Sequence, residues 1–584
     1  MSKSSKSNLS LQSSIFFTLV FLFFVLNLFA YYSGTYHGSL MNTWQFVLGK
    51  YPYTNDVFLQ NNIFTETSII FKIFSYFKID MANDYVGFSF HIILSTLSGI
   101  FLFKILKEFT SIADTKIILI ILFSILAIDG KYFLVDANYS SWIIRHTGTT
   151  SQIGHSLVFI FFWALLKEKR LTLVVLSSLM LLISVKSTFF SIGIGIAYSL
   201  FNYSDLRSKL WILSPILTVL YLSGINVYSE ANDFEIKKIL FDHLIVREGE
   251  EASFHLQPKI KLFLFTISFP IFYFLAKKVN NIKFRKLSFI VLVFSILCFI
   301  WGYFYHLYGG LYYPEPKLAA LGPTRAVEIY ELFFALLIAL FITKTNFSNL
   351  NKTCLYACLF YIPFGINGVF LSLSIITLFI LINLIVNKIN LNFFDKIIKE
   401  KSSNFSYLIS IIFFLLLFPS TIYTISKKNF DFYGLKTINK WKTGPLYKNK
   451  NRIDSAVLLR DCDDFVLLDP IGKSWTNLIS GKSQYMDFTR LGINLFSIKL
   501  HNIMKIRTPV YNDIVDSIKN DTLIKKETQN QLIKDNVVLL IKKENIKSFP
   551  KNIYKKTLNS SDVLVLFLDK QKIDRFNTTC TSKF

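Results

Sequence analysis

Asp56 is, by its type and its surroundings, the residue of this sequence best suited to act as a general base. It ends the segment Tyr51-Pro-Tyr-Thr-Asn-Asp56, among aromatic residues in a polar stretch that follows the first long apolar run. A carboxylate held at the boundary of an apolar layer can take a proton from an acceptor hydroxyl. Thr-Asn-Asp is also typical of a helix N-cap, and capping is the commoner role. The next stretch, 69–79, has the apolar stripe of an interfacial amphipathic helix.

Four basic residues are candidates for binding a phosphate group near that carboxylate. Arg145 and His146 precede one apolar run, Lys186 separates two others, and Arg325 follows Gly322-Pro-Thr at the start of a fourth. A phosphate leaving group needs cationic hydrogen-bond donors. A lysine inside an apolar layer is costly without a partner. For each residue the alternative is that its long side chain simply extends to the lipid headgroups.

The elements that must position these residues are apolar runs of membrane-spanning length. A bilayer core about 30 Å thick needs about 20 apolar residues per helix. The sequence predicts a polytopic α-helical membrane protein with about 11–13 transmembrane helices within residues 1–425. The runs 171–203 and 353–387 each form either a helical hairpin or one long broken helix. The candidate runs are 14–32, 85–105, 117–134, 152–166, 171–185, 187–203, 210–226, 260–277, 287–307, 327–343, 353–366, 367–387 and 406–425.

The distribution of lysine and arginine predicts the orientation of these runs. Short basic loops alternate with longer loops, at 33–84, 135–151, 227–259 and 308–326, that carry most of the acidic and aromatic residues. Because basic residues favour the cytoplasmic side, we expect a cytoplasmic N-terminus in a bacterial inner membrane and an extracytoplasmic C-terminal domain. The basic groups assigned to the cytoplasm include Lys104, Lys107, Lys167, Lys169, Arg170, Arg207, Lys209, Lys277, Lys283, Arg285 and Lys344.

The polar stretch 426–584 predicts a small α/β domain after the last apolar run. Strands are expected at 456–459, 465–468, 537–541 and 563–568, and a helix around 529–534. The domain has neither GxGxxG nor GxxxxGK[ST], so a nucleotide site has no support. The close carboxylates Asp461, Asp463 and Asp464 suit a divalent metal but more often form a solvated turn, so the cofactor stays unknown. Cys462 and Cys580 could equally form a disulfide or remain thiols.

Composition narrows the classes of function. Of the 584 residues, 52% are hydrophobic, which is high for a soluble domain whose surface must be polar. The net charge of +25 is weak evidence for an acidic partner, because basic residues in a membrane protein also set topology and contact anionic headgroups. No basic cluster carries a nucleic-acid-binding motif, so membrane lipid is the expected partner and nucleic acid is not.

The arrangement resembles the GT-C superfamily of membrane glycosyltransferases. The likeness rests on the long loop 33–84 with Asp56, on the apolar block from His155 to Phe201 around Lys186, and on Gly322-Pro-Thr-Arg325 before a helix. The resemblance implies many transmembrane helices, a catalytic acid in the first external loop and a C-terminal domain outside the cytoplasm.

The same resemblance implies transfer of a sugar from a polyprenyl-phosphate donor to a lipid, glycan or protein acceptor of the cell envelope. Asp56 would then be the base, and Arg145, His146, Lys186 and Arg325 would bind the donor phosphate. Two other classes remain open. One is a polysaccharide polymerase or flippase, and the other is a solute transporter without glycosyl-transfer activity. The sequence identifies neither the donor sugar nor the acceptor.

Overall fold

The structure is a computed structural model that describes residues 43–110, 150–224, 259–344 and 459–574, with gaps, and isolated positions between 234 and 241. This part of the chain is mostly helical and contains one five-stranded sheet. The predicted runs 14–32, 117–134, 353–366, 367–387 and 406–425 lie outside the described residues.

Helices occupy the predicted apolar runs that fall within the described residues. Two short helices, α1 and α2, precede a bundle that begins with α3. The helices are α1 (Val57–Gln60), α2 (Ile69–Tyr76), α3 (Asp84–Lys107), α4 (Thr150–Leu166), α5 (Arg170–Asn202), α6 (Leu206–Lys209), α7 (Leu213–Gly224), α8 (Lys259–Lys277), α9 (Ile282–Tyr312) and α10 (Arg325–Lys344).

Among the described helices, α9 alone is long and apolar enough to cross a membrane, over the 28 residues Ile282–Gly309. At 1.5 Å per residue this segment is about 42 Å long, more than the roughly 30 Å of a bilayer core. Shorter apolar helices are Ile153–Leu166, Arg170–Val185 and Phe265–Lys277. The predicted helices are therefore present, and their crossing of a membrane as a polytopic body stays a prediction.

The α5 segment is a hairpin of two helices. Its backbone is helical except at Ser184, where φ −159° and ψ 94° make it extended. The Arg170 guanidinium at its start lies 2.7 Å from the Asp205 carboxylate beyond its end. The Tyr203 hydroxyl, also beyond its end, donates to the Leu165 carbonyl just before its start. Both ends of this 33-residue segment meet, so its halves run antiparallel. The hairpin alternative is confirmed, with its apex at Ser184.

Ion pairs show which helix ends meet at the end of the bundle opposite that apex. The pairs are Lys167–Glu108 at 2.6 Å, Lys283–Glu168 at 2.8 Å and Arg170–Asp205 at 2.7 Å. Each is partly exposed and contributes at most about 1 kcal/mol. Loops predicted from sequence to share one side of a membrane thus converge. We call this the basic end, and we call the end that carries Ser184 the apex end.

The C-terminal part of the described chain is an α/β domain with a mixed sheet of order β2-β1-β3-β5-β4. Strands β1, β2 and β3 are parallel, whereas β5 runs antiparallel to β3 and β4. Its elements are β1 (Val466–Leu468), β2 (Ser483–Gln484), α11 (Ile498–Asn520), α12 (Lys526–Lys534), β3 (Val537–Lys542), β4 (Tyr554–Thr557) and β5 (Val563–Phe567). The strands predicted at 465–468, 537–541 and 563–568 and the helix around 529–534 are confirmed. The strand predicted at 456–459 is wrong at Leu459, which is helical.

Both faces of this sheet are buried. Val537 and Leu539 of β3 face one hydrophobic core, which the buried face of α11 completes, and Val538 and Leu540 face another. A central strand covered on two sides has to be apolar throughout, as the run Val537–Lys542 nearly is. Phe58 of α1 belongs to the core shared with α11, so the first loop supplies part of the α/β domain.

The first loop also ties the α/β domain to the apex end of the bundle. Seven residues separate Gln60, at the end of α1, from Ser68. The Ser68 hydroxyl donates to the carbonyl of Ile183, next to the Ser184 apex, at 2.8 Å. Extended chain of this length spans at most about 29 Å. The domain is therefore held within that reach of the hairpin apex.

Candidate functional site

Arg325 stands at the start of α10, directly after a tight turn. Gly322 has φ +62°, a left-handed conformation that favours glycine, and its carbonyl accepts the Arg325 amide at 2.9 Å. A Cβ at Gly322 would lie 3.2 Å from Arg325 Nε, which shows that the guanidinium stem folds back over the turn. Arg325 is buried, with 5% of its surface exposed. A buried cation here adds to the positive end of the helix dipole and so favours an anion at this end of α10.

His155 and Glu328 form a buried pair between α4 and α10. His155 Nε2 lies 3.3 Å from Glu328 Oε2, and both side chains are almost completely shielded from solvent. Glu328 is one helical turn beyond Arg325, so both lie on neighbouring positions of the same helix. A second acid, Glu331, is buried one turn further along α10. The arrangement places a proton donor and acceptor beside a cation, which is the equipment for acid–base chemistry on an anionic substrate.

The hairpin apex packs against the same first turns of α4. A Cβ at Gly154 would lie 2.7 Å from Ser187 Oγ and 2.9 Å from Thr188 Cγ2, so these side chains of the hairpin occupy the space that a larger residue would need. The backbone of Lys186 belongs to this apex, in the second half of α5. The predicted residues Lys186 and Arg325 are thus both brought to the first turns of α4, one through Gly154 and the other through the His155–Glu328 pair.

Helix α2 covers the apex end from the side of the first loop. Its apolar face is buried against Trp44, Ile153 and Ile183, and the Trp44 and Phe71 rings lie 4.3 Å apart. The stretch predicted as an amphipathic interfacial helix therefore packs its apolar face on the bundle. This packing of α2 lies next to the Ser68–Ile183 hydrogen bond and covers the hairpin apex.

Asp56 is completely buried and acts as a helix cap. Its Oδ1 accepts the amides of Phe58 and Leu59, each at 3.0 Å, and its Oδ2 accepts the amide of Gln484 at 3.1 Å. The helix-capping role that the sequence offered as the alternative is the one observed in the structure. To take a proton from a substrate, this carboxylate would first have to release backbone amides, so the catalytic role of Asp56 stays a prediction without geometric support.

The remaining predicted positions lie outside the described residues. They are Arg145, His146, Asp461, Asp463, Asp464, Cys462 and Cys580. Within the part of the chain that the structure describes, no three His, Cys, Asp or Glu side chains form a group that could hold a metal ion. His155, Glu328 and Glu331 were not chosen as site residues from sequence. Their signal was a titratable side chain inside an apolar helix, which is rare and usually functional in membrane proteins.

The α/β domain has its own polar cluster behind β2. Arg507 lies over the Tyr485 ring, 4.6 Å from its centroid, and donates to the Tyr485 carbonyl at 3.0 Å. The Tyr485 hydroxyl donates to Asp535 at 3.1 Å. Burial, and then the charge of Asp535, raises the pKa of Tyr485, whereas burial lowers the pKa of Arg507. Because Tyr485 is completely buried, this cluster holds β2 in place.

Comparison with known proteins gives no assignment. No protein-family model, curated protein or solved structure matches the chain.

Proposed function

We propose that this protein is a polytopic membrane glycosyltransferase that moves a sugar from a polyprenyl-phosphate donor to a lipid, glycan or protein acceptor. The transfer takes place at the outer face of a bacterial inner membrane. The observation that carries the proposal is the buried group of Arg325, Glu328 and His155 at the apex end, where the first loop also holds the α/β domain. Burying such groups in a membrane-embedded bundle is expensive and is retained mainly where they have a function.

The orientation follows from the two ends of the bundle. The basic end carries Lys167, Arg170 and Lys283, and basic loops favour the cytoplasm. The apex end then faces outward together with the α/β domain. This arrangement supports an outward-facing reaction in which the lipid donor enters from the outer leaflet and the acceptor approaches beneath the domain.

The proposed roles follow from charge and position. Arg325, with the positive end of α10, neutralises the phosphate that leaves the sugar carbon. Glu328, paired with His155, accepts the proton of the acceptor hydroxyl as the new glycosidic bond forms. Lys186 stays our candidate for a second phosphate contact because its backbone lies in the adjoining apex. This assignment gives the base role to Glu328 in preference to Asp56, whose oxygens are occupied by backbone amides.

The test compares three arginine variants in full-length protein. R325A removes the cation, R325K keeps the charge but loses the planar fork, and R285A removes an arginine from the first turn of α9, at the basic end. We expect R325A to lower transfer from a polyprenyl-phosphate sugar at least about 100-fold. R325K should retain part of the activity and R285A all of it. Envelope glycans are read by mass spectrometry. An unchanged glycan profile in R325A at normal protein abundance would contradict the proposal.

A flippase or transporter is the second candidate, because α5 is a hairpin of two short halves. Broken or short helices whose ends meet inside a membrane body are typical of transport proteins. The full-length protein in liposomes distinguishes the two. Movement of a lipid-linked oligosaccharide to the opposite leaflet with its sugar–phosphate bond intact would favour transport, and cleavage of that bond would favour transfer.

A further inference from the structure

Strand β2 is an edge strand whose outward backbone group is bound by the first loop. Within the described sheet, β2 pairs only with β1, and the Tyr485 amide donates inward to the Leu467 carbonyl at 3.1 Å. Successive amides of a strand point to opposite sides, so the Gln484 amide points away from the sheet. Asp56 Oδ2 accepts that amide at 3.1 Å. A residue 428 positions earlier in the chain thus closes this edge at Gln484.

The same carboxylate also builds the element that carries it. Asp56 Oδ1 caps α1 through the amides of Phe58 and Leu59. Capping fixes a four-residue helix that would not be stable alone. The fixed helix places Phe58, which is completely buried, in the core of the α/β domain. Asp56 therefore joins a polar contact at the sheet edge to an apolar contact in the domain core.

The other end of the loop is attached to the bundle. Ser68 is buried, and its hydroxyl donates to the Ile183 carbonyl beside the Ser184 apex. The extended backbone at Ser184 interrupts the helical hydrogen bonding of α5 there, and Ser68 supplies a donor. One loop is consequently anchored in the α/β domain at Asp56 and Phe58 and at the hairpin apex at Ser68.

We propose that residues 56–60 are an edge clasp that holds the α/β domain in a fixed position over the apex end, and that Asp56 is a positioning residue of the proposed site. The role of the clasp in catalysis rests on the proposed function. The clasp itself is defined by contacts within the folded chain, so its existence does not depend on that function. The clasp keeps the domain within reach of the apex end, which carries the Arg325–Glu328–His155 group, and so limits how an acceptor can approach.

The sharpest variant is D56N. Asparagine is a good N-cap, so it keeps α1. Its single oxygen cannot both cap α1 and accept the Gln484 amide as two carboxylate oxygens do. D56A removes both contacts. D205N is the matched control, because Asp205 also caps a helix with one oxygen and uses the other in a second contact, with Arg170 at the basic end.

The position of the domain is measured directly by pulsed electron paramagnetic resonance. Nitroxide labels are placed at the exposed positions Lys169, near the basic end, and Lys526, on α12, in full-length cysteine-free protein in lipid nanodiscs. Wild-type protein and D205N should give one narrow distance distribution. D56N and D56A should broaden it at least about twofold. A distribution in D56N as narrow as in the wild type would overturn the clasp.

Kinetics with a polyprenyl-phosphate sugar then separates positioning from catalysis. If Asp56 is a positioning residue, D56N should raise KM about tenfold and leave the pH profile unchanged. Loss of a general base instead lowers kcat by about 100- to 10,000-fold and removes one limb of that profile. A lower kcat with one limb of the pH profile lost, together with a narrow distance distribution, would overturn the clasp. Absence of any turnover by the wild-type protein would remove the proposed function and leave the distance result to decide the clasp.

Discussion

The imidazole Nε2 of His155 lies 3.3 Å from Oε2 of Glu328, and both side chains are buried between α4 and α10. Burial shields this contact from solvent, which strengthens the interaction between the two side chains. The pair also joins two helices that are far apart in the sequence. It therefore serves both the packing of the apex end and the chemistry proposed there.

Changing Glu328 to Gln tests the chemistry with little change of shape. The substituted amide can still hydrogen-bond His155 but cannot take the proton of the acceptor hydroxyl, so we expect transfer to fall at least about 100-fold. E315Q is the control, because Glu315 also forms an ion pair, with Lys237 at 3.0 Å. Turnover and thermal unfolding are both measured in lipid nanodiscs. Full activity in E328Q would exclude Glu328 as the base.

The sequence predicted the helices well because apolar periodicity is a local property. The run predicted at 287–307 is the middle of α9, Ile282–Tyr312. The helix begins earlier because the Asn281 side chain accepts the Phe284 amide at 3.0 Å and caps a first turn that contains Lys283 and Arg285. Apolar pattern alone does not include such a polar turn.

The site was less predictable because its contacts connect distant parts of the chain. Arg325 was predicted from its Gly-Pro-Thr turn, and the structure places it, buried, at the start of α10, while its phosphate-binding role stays a prediction. The pairing of His155 with Glu328 has no local signal beyond the presence of each in an apolar helix. Strand β2 was missed because Ser483 and Gln484 are polar and are buried through tertiary contacts. Asp56 shows the same limit, since its cap is local but its bond to Gln484 is not.

Gly154 allows α4 to approach the hairpin apex, so G154A should separate them. The new Cβ would meet Ser187 Oγ at 2.7 Å. We expect a loss of about 1–3 kcal/mol of stability from overpacking, although alanine favours a helix by about 1 kcal/mol. The double variant G154A/S187A is the control, because it removes the Ser187 Oγ that the new Cβ would meet and should recover part of the loss. Thermal unfolding in nanodiscs decides, and a wild-type midpoint for G154A would contradict the close packing.

Tyr485 should make the α/β domain sensitive to alkaline pH. Burial and Asp535 raise the pKa of Tyr485 in the folded protein above the value of about 10 that it has when unfolded. The stabilisation is fully present below that unfolded value. It is lost as pH rises above it, because the unfolded chain releases the proton while the folded domain retains it.

Y485F should reduce this dependence above about pH 10, leaving the part due to Tyr511, whose pKa burial also raises. It should cost about 1 kcal/mol at neutral pH through loss of the bond to Asp535. Urea titration of the full-length protein, followed by far-ultraviolet circular dichroism, gives the free energy of unfolding at each pH. Y76F, at an exposed tyrosine of α2, should leave the curve unchanged. An alkaline slope in Y485F equal to that of the wild type would contradict the assignment.

The orientation of the two ends is tested by labelling single cysteines at Lys169 and Lys526 in spheroplasts. Both positions are exposed, the first near the basic end and the second on α12 of the α/β domain. Because basic loops stay in the cytoplasm, a membrane-impermeant maleimide should label K526C in intact spheroplasts and K169C only after lysis. Denatured samples, in which both cysteines must react, control for reactivity. Labelling of K169C from outside would show that the apex end faces the cytoplasm. The proposed group of Arg325, Glu328 and His155 would then face away from any acceptor in the envelope.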